Sequence, residues 1–192
     1  MAMIGMRYVV ASPIQSHTDG SEPTYGTGFV VGGAISGNLS ITRNDNNLYY
    51  DDVLGESDNG IVATSLELGI DDLLEEVEEK LLNVVKKTSN SVNTYYETSK
   101  AAPYVGLGYL RVRKKDNVVK YQAVWNYKMQ FGVTSENSTT KGQTIEWQTP
   151  TITGKGFGLY VDSSGDATFR KKQVFDTETA AKNWLKGLAG IT

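Results

Sequence analysis

The alternation of apolar and polar residues is strongest in the segment Val119–Phe131. Every odd-numbered position there is apolar or aromatic, and every even-numbered position except Val124 is polar. A period of two is that of a β-strand with one buried face, so the pattern predicts a strand about twice the usual length. Tyr104–Lys115 is a second strand candidate, and Asp116-Asn117 between the two suits a two-residue turn with positive φ. The pattern therefore predicts a long antiparallel hairpin over about 104–131.

The predicted turn also fixes which residues lie opposite each other in this hairpin. The predicted pairs are Tyr104 with Met129, Gly106 with Tyr127, Gly108 with Trp125, Leu110 with Ala123 and Val112 with Tyr121. Large rings thus face small residues, and a slip of one residue would turn the apolar set of one strand to the polar face. We therefore expect Gly106, Gly108, Trp125 and Tyr127 to pack together in the core.

Alternation predicts strands elsewhere as well. Ala34–Arg43 and Ile61–Leu68 each place apolar residues on one face, and Ile145–Phe175 supplies further strands. Between the first two, the Asn- and Asp-rich segment 44–60 predicts a long acidic surface loop. Residues 1–33 predict an N-terminal strand or arm, in which the only histidine, His17, is solvated in a loop.

A helical period marks the segment Ile70–Lys87, where leucine, isoleucine and valine share one face. This predicts a helix over about 71–83 that flanks the strands, with Asp71 or Asp72 capping its first amides. Asn83 suits the left-handed residue that closes such a helix.

A second, short helix is predicted over about 177–186. Asp176 is its expected cap, and Trp184 lies on its apolar face, where it should dock on the sheet. Together these elements predict a mainly-β fold with flanking helices in a single domain, residues 1–192.

Composition excludes several classes of function. The chain has no cysteine and one histidine, so disulfides, thiol catalysis, histidine-based triads and the commonest zinc sites lack their residues. Hydrophobic residues make up 39% and charged residues 21%, which is typical of a soluble globular domain. No segment approaches the about 18 apolar residues that span a bilayer, and no secretion signal is visible. We therefore expect a protein that is not an enzyme and needs no cofactor or metal.

The polar face of the predicted hairpin is basic. Arg111, Arg113, Lys115 and Lys120 gather near its turn, and Arg113 lies opposite Lys120. Like charges directly opposite each other destabilise a strand pair, so solvent or an acidic neighbour must offset them. A net charge of −3 argues against a dedicated DNA-binding protein.

Asp51 and Asp52 of the acidic segment are the candidate neighbours. In a ring or stack of identical subunits, the basic hairpin of one copy would lie near the acidic segment of another. The alternative is that the basic cluster of the hairpin and the acidic segment are both ordinary solvated surface.

Three other motifs carry little functional signal. Glycines in Gly26–Gly33 lack the strand–loop–helix context of a nucleotide site, because the next segment alternates like a strand. Asp51, Asp52 and Glu56–Asp58 lack the spacing of an EF-hand. Tyrosines at 49, 50, 95 and 96 could bind sugar, although tyrosine in strands more often packs.

Several short sequence segments between about residues 34 and 186 together resemble a known protein family through their order and spacing. They are Leu48-Tyr49-Tyr50-Asp51-Asp52, Asp58-Asn59-Gly60, Leu66–Leu73, Ala102–Tyr109, Tyr121–Phe131, Thr140-Lys141-Gly142, Gln148–Ile152, Phe175 and Ala181–Leu185. In this order they resemble the major tail (tail tube) protein family of bacteriophages with long, non-contractile tails. The first thirty residues match poorly, and Asn83 stands where a helix-ending glycine is expected.

This resemblance implies a β-sandwich of the tail-tube type with a flanking helix. It also implies a hexameric ring that stacks into a tube around the tape measure protein and later the DNA. The tail terminator and distal tail proteins would be further partners, and the protein would reside in the virion tail after assembly in the host cytoplasm. Two alternatives stay open: a carbohydrate-binding or adhesion β-sandwich, and the tube subunit of a phage-like secretion particle.

Overall fold

The computed structural model describes residues 2–135 and 149–192. Strands account for 58% and helices for 11% of the structure, which confirms a mainly-β fold with flanking helices. The segments Thr140-Lys141-Gly142 and Gln148, and the start of Ile145–Phe175, lie outside the described residues.

The elements follow one another along the chain as thirteen described strands and two described helices. The strands are β1 (Ala2–Ser16), β2 (Thr24–Tyr25), β3 (Phe29–Gly32), β4 (Ala34–Arg43), β5 (Asn46–Tyr50), β6 (Val53–Asp58), β7 (Ile61–Ile70), β8 (Val85–Ser89), β9 (Val92–Tyr96), β10 (Val105–Lys115), β11 (Val118–Ser135), β12 (Thr151–Gly156) and β13 (Arg170–Phe175). The helices are α1 (Glu75–Leu81) and α2 (Glu178–Ala189).

Nine of these strands form one antiparallel sheet in the order β2-β1-β10-β11-β12-β7-β4, with β13 also paired to β11 and β3 to β1. The sheet curls so that β4 approaches β1, although the two strands are not neighbours in the strand order. A Cβ added to Gly37 on β4 would meet the side chain of Met6 on β1, which shows this approach. Two hairpins, β5–β6 and β8–β9, are separate two-stranded sheets.

The buried apolar residues form two clusters. The inner core joins residues of β1, β7, β10, β11 and β12 with Val77 and Leu81 of α1. The helix-covered core joins Trp125 and Tyr127 of β11 with Ala181, Leu185 and Ala189 of α2. The centre of β11 is therefore buried on both faces, and the expectation of a single buried face is wrong there.

A bulge in β11 explains how one alternating pattern serves both clusters. Leu107 pairs with Asn126 but Val105 pairs with Met129, so β11 carries one extra residue between them. Beyond the bulge, odd-numbered side chains such as Met129 turn to the inner core. The predicted pairs hold from the Asp116-Asn117 turn to Gly108–Trp125, and the bulge interrupts the ladder at the predicted pair Gly106–Tyr127. The predicted pair Tyr104–Met129 is wrong, because Met129 pairs with Val105. Asp116 and Asn117 both have positive φ, as the turn requires.

The N-terminal segment is an integral strand. β1 pairs with β10 along most of its length, and Val9, Val10 and Ala11 are fully buried. The strand continues to Ser16, so the loop that contains His17 begins only after Ser16. His17 is not freely solvated, because its side chain is 17% exposed and its Nε2 atom is buried.

The segment 44–60 is a hairpin and not a loop. β5 and β6 pair throughout, and the turn residues Asp51 and Asp52 have φ of 52° and 59°. The amide of Asn44 donates to the carbonyl of Gly60 at 2.8 Å, which continues the β4–β7 ladder into this hairpin. Asp and Asn tolerate the left-handed conformation, so the Asp-Asp pair closes a two-residue turn.

The first helix is shorter than predicted and is capped differently. Ile70 fits the helical period, but it is the last residue of β7 and pairs with Ala34. It therefore belongs to a strand. Leu74 precedes the first helical residue without a side-chain cap, whereas Asp71 accepts from the amides of Gly33 and Asp72. Asn83 has a φ of 62°, as expected for the residue that follows the helix.

The second helix extends to Ala189, and its cap is Thr177, whose hydroxyl accepts from the amide of Ala180. Asp176 is therefore not the cap. Trp184 is half-buried against Phe175, with ring centroids 6.0 Å apart. In the described ranges, neither helix is long and apolar enough to cross a bilayer.

Candidate subunit interface

Two charged hairpin turns leave the sheet at the same end. β7 and β11 are both antiparallel to β12, so they run in the same direction and begin at the same end of the sheet. The turn at 51–52 precedes β7, and the turn at 116–117 precedes β11. We call residues 44–60 the acidic ribbon and residues 111–120 the basic tip.

The two features carry opposite charge. The acidic ribbon contains five acidic residues and no basic one, and the basic tip contains five basic residues and one acidic one. Two long strand pairs thus end in a negative and a positive extremity at one end of the molecule.

Within the basic tip, the predicted opposition of Arg113 and Lys120 is confirmed. Lys120 also forms an ion pair with Asp176, which follows β13. The chain itself therefore offsets part of the like-charge repulsion, through an acid that the sequence had suggested as a helix cap.

Other basic residues of the tip differ in exposure. Arg111 is half-buried, donates to the hydroxyl of Tyr109 at 3.1 Å, and lies over the Tyr109 ring. Lys115 is exposed next to the turn. Arg113 is partly exposed and takes part in none of the ion pairs of the described residues, so Arg113 and Lys115 are the residues on this face of the tip that are best placed to contact another molecule.

On the acidic ribbon, Asp51 and Asp52 are both exposed at the turn. The structure does not bring them into an ion pair with the basic tip of the same chain; each ion pair among the described residues joins other groups. Contact between the two clusters stays a prediction about neighbouring subunits.

The ribbon exposes several apolar side chains, of which the sequence analysis singles out only Tyr49 and Tyr50, as possible sugar-binding residues. Those most exposed, at 51–62%, are Leu48, Tyr49, Tyr50, Val53 and Leu54. An exposed apolar group of this kind marks a surface that interacts with another protein or a ligand. The available signal was the placement of Leu-Tyr-Tyr and Val-Leu directly around Asp-Asp, the same arrangement of apolar strand and polar turn as in 104–131.

The predicted core residues support the base of the basic tip. Trp125 is fully buried and Tyr127 is 3% exposed. A Cβ on Gly106 would lie 2.5 Å from both Trp125 and Tyr25, so this glycine is needed for ring packing. Tyr25 stands edge-on to Trp125, with centroids 5.1 Å apart.

A hydrogen-bonded clasp holds the segment around Glu22 over these rings. Glu22 accepts from the hydroxyl of Tyr127 at 2.7 Å and from the Lys171 ammonium at 2.7 Å and 2.8 Å. The indole of Trp125 donates to the hydroxyl of Tyr25, which donates to the carbonyl of Tyr127. Burial, and then the adjacent Glu22, raises the pKa of Tyr127, so its hydroxyl remains a donor.

This clasp predicts a pH-dependent contribution to stability. Burial acts to raise the pKa of Glu22, but the hydrogen bonds from Lys171 and Tyr127 outweigh it and hold the pKa below the ordinary value of 4.5. A lowered folded pKa means that the stabilisation is complete above pH 4.5 and is lost as the pH falls through the folded pKa. We expect urea titrations to show wild type more stable than Glu22→Gln at pH 7, with the difference shrinking below pH 4.5.

The exposed Glu97 provides a control for this experiment, because Glu97→Gln removes the same charge without touching the clasp. A difference between wild type and Glu22→Gln that stays constant down to pH 3 would contradict the assignment.

The chain was also compared with known proteins. No protein-family model matches it, and no curated protein matches it significantly.

Proposed function

We propose that this protein is a structural subunit that assembles into rings and, by stacking of those rings, into the tail tube of a phage. The observation that carries the proposal is the pair of oppositely charged hairpin ends, with exposed apolar side chains on the acidic one. A chain with an acidic and a basic extremity complements a second copy of itself, and a heterologous contact of this kind closes rings or propagates filaments.

The position of the two turns favours a lateral contact within a ring. Both turns leave the sheet at the same end. If two copies stand side by side in the same orientation, the acidic ribbon of the first copy therefore lies at the same height as the basic tip of the second. End-to-end stacking would instead bring this charged end against the opposite end of the next subunit. We therefore assign the ribbon–tip contact to neighbours in one ring.

Burial in such a contact would also account for the apolar side chains of the ribbon. Interface cores are depleted of charge and enriched in tyrosine, and Tyr49 and Tyr50 are 62% and 61% exposed in the single chain. Charged residues around them would set the register of the contact and the rate of association.

In this proposal the partners are those that the resemblance implies. They are further copies of the chain, a tape measure protein inside the tube, terminator and distal tail proteins at its ends, and DNA that passes through without sequence-specific contact. The tube of a phage-like secretion particle would use the same subunit contacts and is the variant of this proposal that differs in biological context.

Carbohydrate binding is a second candidate, and the exposed ribbon tyrosines are the observation that favours it. Sugar-binding sites need a concave surface with aromatic rings. A cavity of about 500 Å³, lined by residues such as Thr64, Gln130 and Lys155, has Phe131 as the only aromatic ring among its described lining residues. This cavity therefore gives carbohydrate binding less support than the hairpins give assembly.

Negative-stain electron microscopy of the purified full-length chain, with sedimentation velocity, tests the proposed function. We expect rings or tubes of uniform width, and we expect the fraction of the protein in them to increase with protein concentration. A monodisperse monomer at all concentrations and at low salt, together with saturable binding on a glycan array, would favour the carbohydrate-binding alternative.

A further inference from the structure

Three basic side chains from two distant segments share one face of the sheet. In an antiparallel pair, directly opposed residues point to the same face. Arg111 opposes Gln122, Lys172 opposes Val124 and Arg170 opposes Asn126, and these three β11 residues alternate along the strand. Arg111, Lys172 and Arg170 therefore project from the same side of β10, β11 and β13.

None of the three has an acidic partner among the described residues. The ion pairs found there involve Arg7, His17, Lys120, Lys171 and Lys182. Asp176, the acid that follows β13, pairs with Lys120. The hydrogen bond that Arg111 donates among the described residues goes to the neutral hydroxyl of Tyr109, whose ring it also covers.

Arg170 also carries an unsatisfied donor. Its Nη1 atom is buried without a hydrogen-bond acceptor, while the residue as a whole stays partly exposed. A buried donor without an acceptor is unfavourable, and more so when the group is charged. Because the residue as a whole is partly exposed, an acceptor from solvent can reach only the accessible part of its guanidinium and not the buried Nη1.

Burial and the positive charges of Arg170 and Arg111 affect the pKa of Lys172. Although that residue is exposed, partial burial of its ammonium and then the charges of Arg170 and Arg111 lower its pKa.

We propose that Arg111, Arg170 and Lys172 form a binding site for a small, multiply charged oxyanion of the phosphate class. Two guanidinium groups supply planar pairs of N–H donors, and the ammonium supplies a point charge, which is the donor set that phosphate oxygens take. Three positive charges suit a dianion better than a single carboxylate. The site shares Arg111 with the basic tip, but Arg170 and Lys172 lie outside the tip, and binding of a free anion by a single chain does not require tube assembly.

Thermal unfolding of the full-length chain in inorganic phosphate, against chloride at equal ionic strength, tests this site. At a phosphate concentration about twenty times Kd, mass action predicts a rise in Tm of about 4 to 7 °C for a chain of this size. Lys172→Gln and Arg170→Gln should each remove most of that rise. The matched control Lys114→Gln, an exposed lysine on the opposite face of β10, should keep it.

Amide chemical shifts supply a second measurement that does not depend on the stability of the variants. We expect phosphate to shift the amides of residues 109–111, 122–126 and 170–174 with one saturation curve. Equal Tm in phosphate and chloride overturns the proposal, and so does a rise that survives in Lys172→Gln or is lost equally in Lys114→Gln.

Discussion

Replacing Gly108 by valine is expected to lower the free energy of unfolding by about 1 to 3 kcal/mol, the usual cost of overpacking a core. A Cβ at this position would lie 2.7 Å from Trp125 Cε3 and 2.8 Å from Leu185 Cδ2. Both neighbours are fully buried between the sheet and α2, so neither can move aside into solvent. The corresponding fall in Tm is about 2 to 12 °C for a chain of this size.

Gly132→Val provides the matched control for this prediction. Gly132 lies on β11, the strand of Trp125, and a Cβ there would meet no atom of the described residues within 4 Å. Valine is favourable in a strand, so the control should stay within about 0.5 kcal/mol of wild type. Equal stability of Gly108→Val and Gly132→Val would mean that the sheet and α2 do not approach as closely as described.

Reversing two charges of the basic tip is expected to abolish assembly with little effect on the fold. We choose Arg113→Glu with Lys115→Glu and leave Lys120 unchanged, because Lys120 pairs with Asp176 within the chain. Each exposed ion pair contributes only about 0.2 to 1 kcal/mol, but reversal turns attraction into repulsion at every subunit contact. A loss of 1.4 kcal/mol per contact already raises the concentration needed for association about tenfold.

Sedimentation velocity and negative-stain microscopy measure this effect, and thermal unfolding measures the fold separately. Wild-type assembly should weaken as salt rises above about 0.1 M, where the Debye length falls below about 10 Å. Changing Asp51 and Asp52 to lysine in the reversed variant should restore assembly only in part. Both positions have positive φ, which costs a lysine about 1 to 2 kcal/mol.

The variant Lys86→Glu with Lys87→Glu controls for net charge, because it makes the same change in the β8–β9 hairpin. If this control impairs assembly as strongly as the reversal in the basic tip, the effect belongs to net charge and the proposed contact is wrong. Normal assembly of the Arg113→Glu, Lys115→Glu variant would also refute the contact.

Local features were predicted well where neighbouring residues decide them. The turn at Asp116-Asn117 and the pairing next to it follow from turn chemistry and alternation, because a two-residue turn fixes the register of the strands that it joins. The same reasoning applied to Asp51-Asp52 would have found the β5–β6 hairpin. Its Asn- and Asp-rich composition was instead interpreted as a loop.

Features that depend on distant partners were not predicted. Ile70 fits a helical period as well as the alternation of Leu66 and Leu68, and the sequence holds no sign of which applies. Pairing of Ile70 with Ala34 satisfies its backbone in the sheet, so the strand extends and α1 begins only at Glu75. Similarly, Asp71 is close enough to cap α1 in sequence but is engaged by the amide of Gly33.

The sequence by itself determined the mainly-β class, both helices and the hairpin that carries the basic tip, because periodicity and turn chemistry act within a few residues. Only the tertiary structure decided the bulge that divides β11 between two cores, since an extra residue leaves the apolar pattern unbroken while it reverses the side-chain direction. It also decided which charges meet. Arg111 joins Arg170 and Lys172 because strand pairing, and not sequence distance, sets which side chains share a face of the sheet.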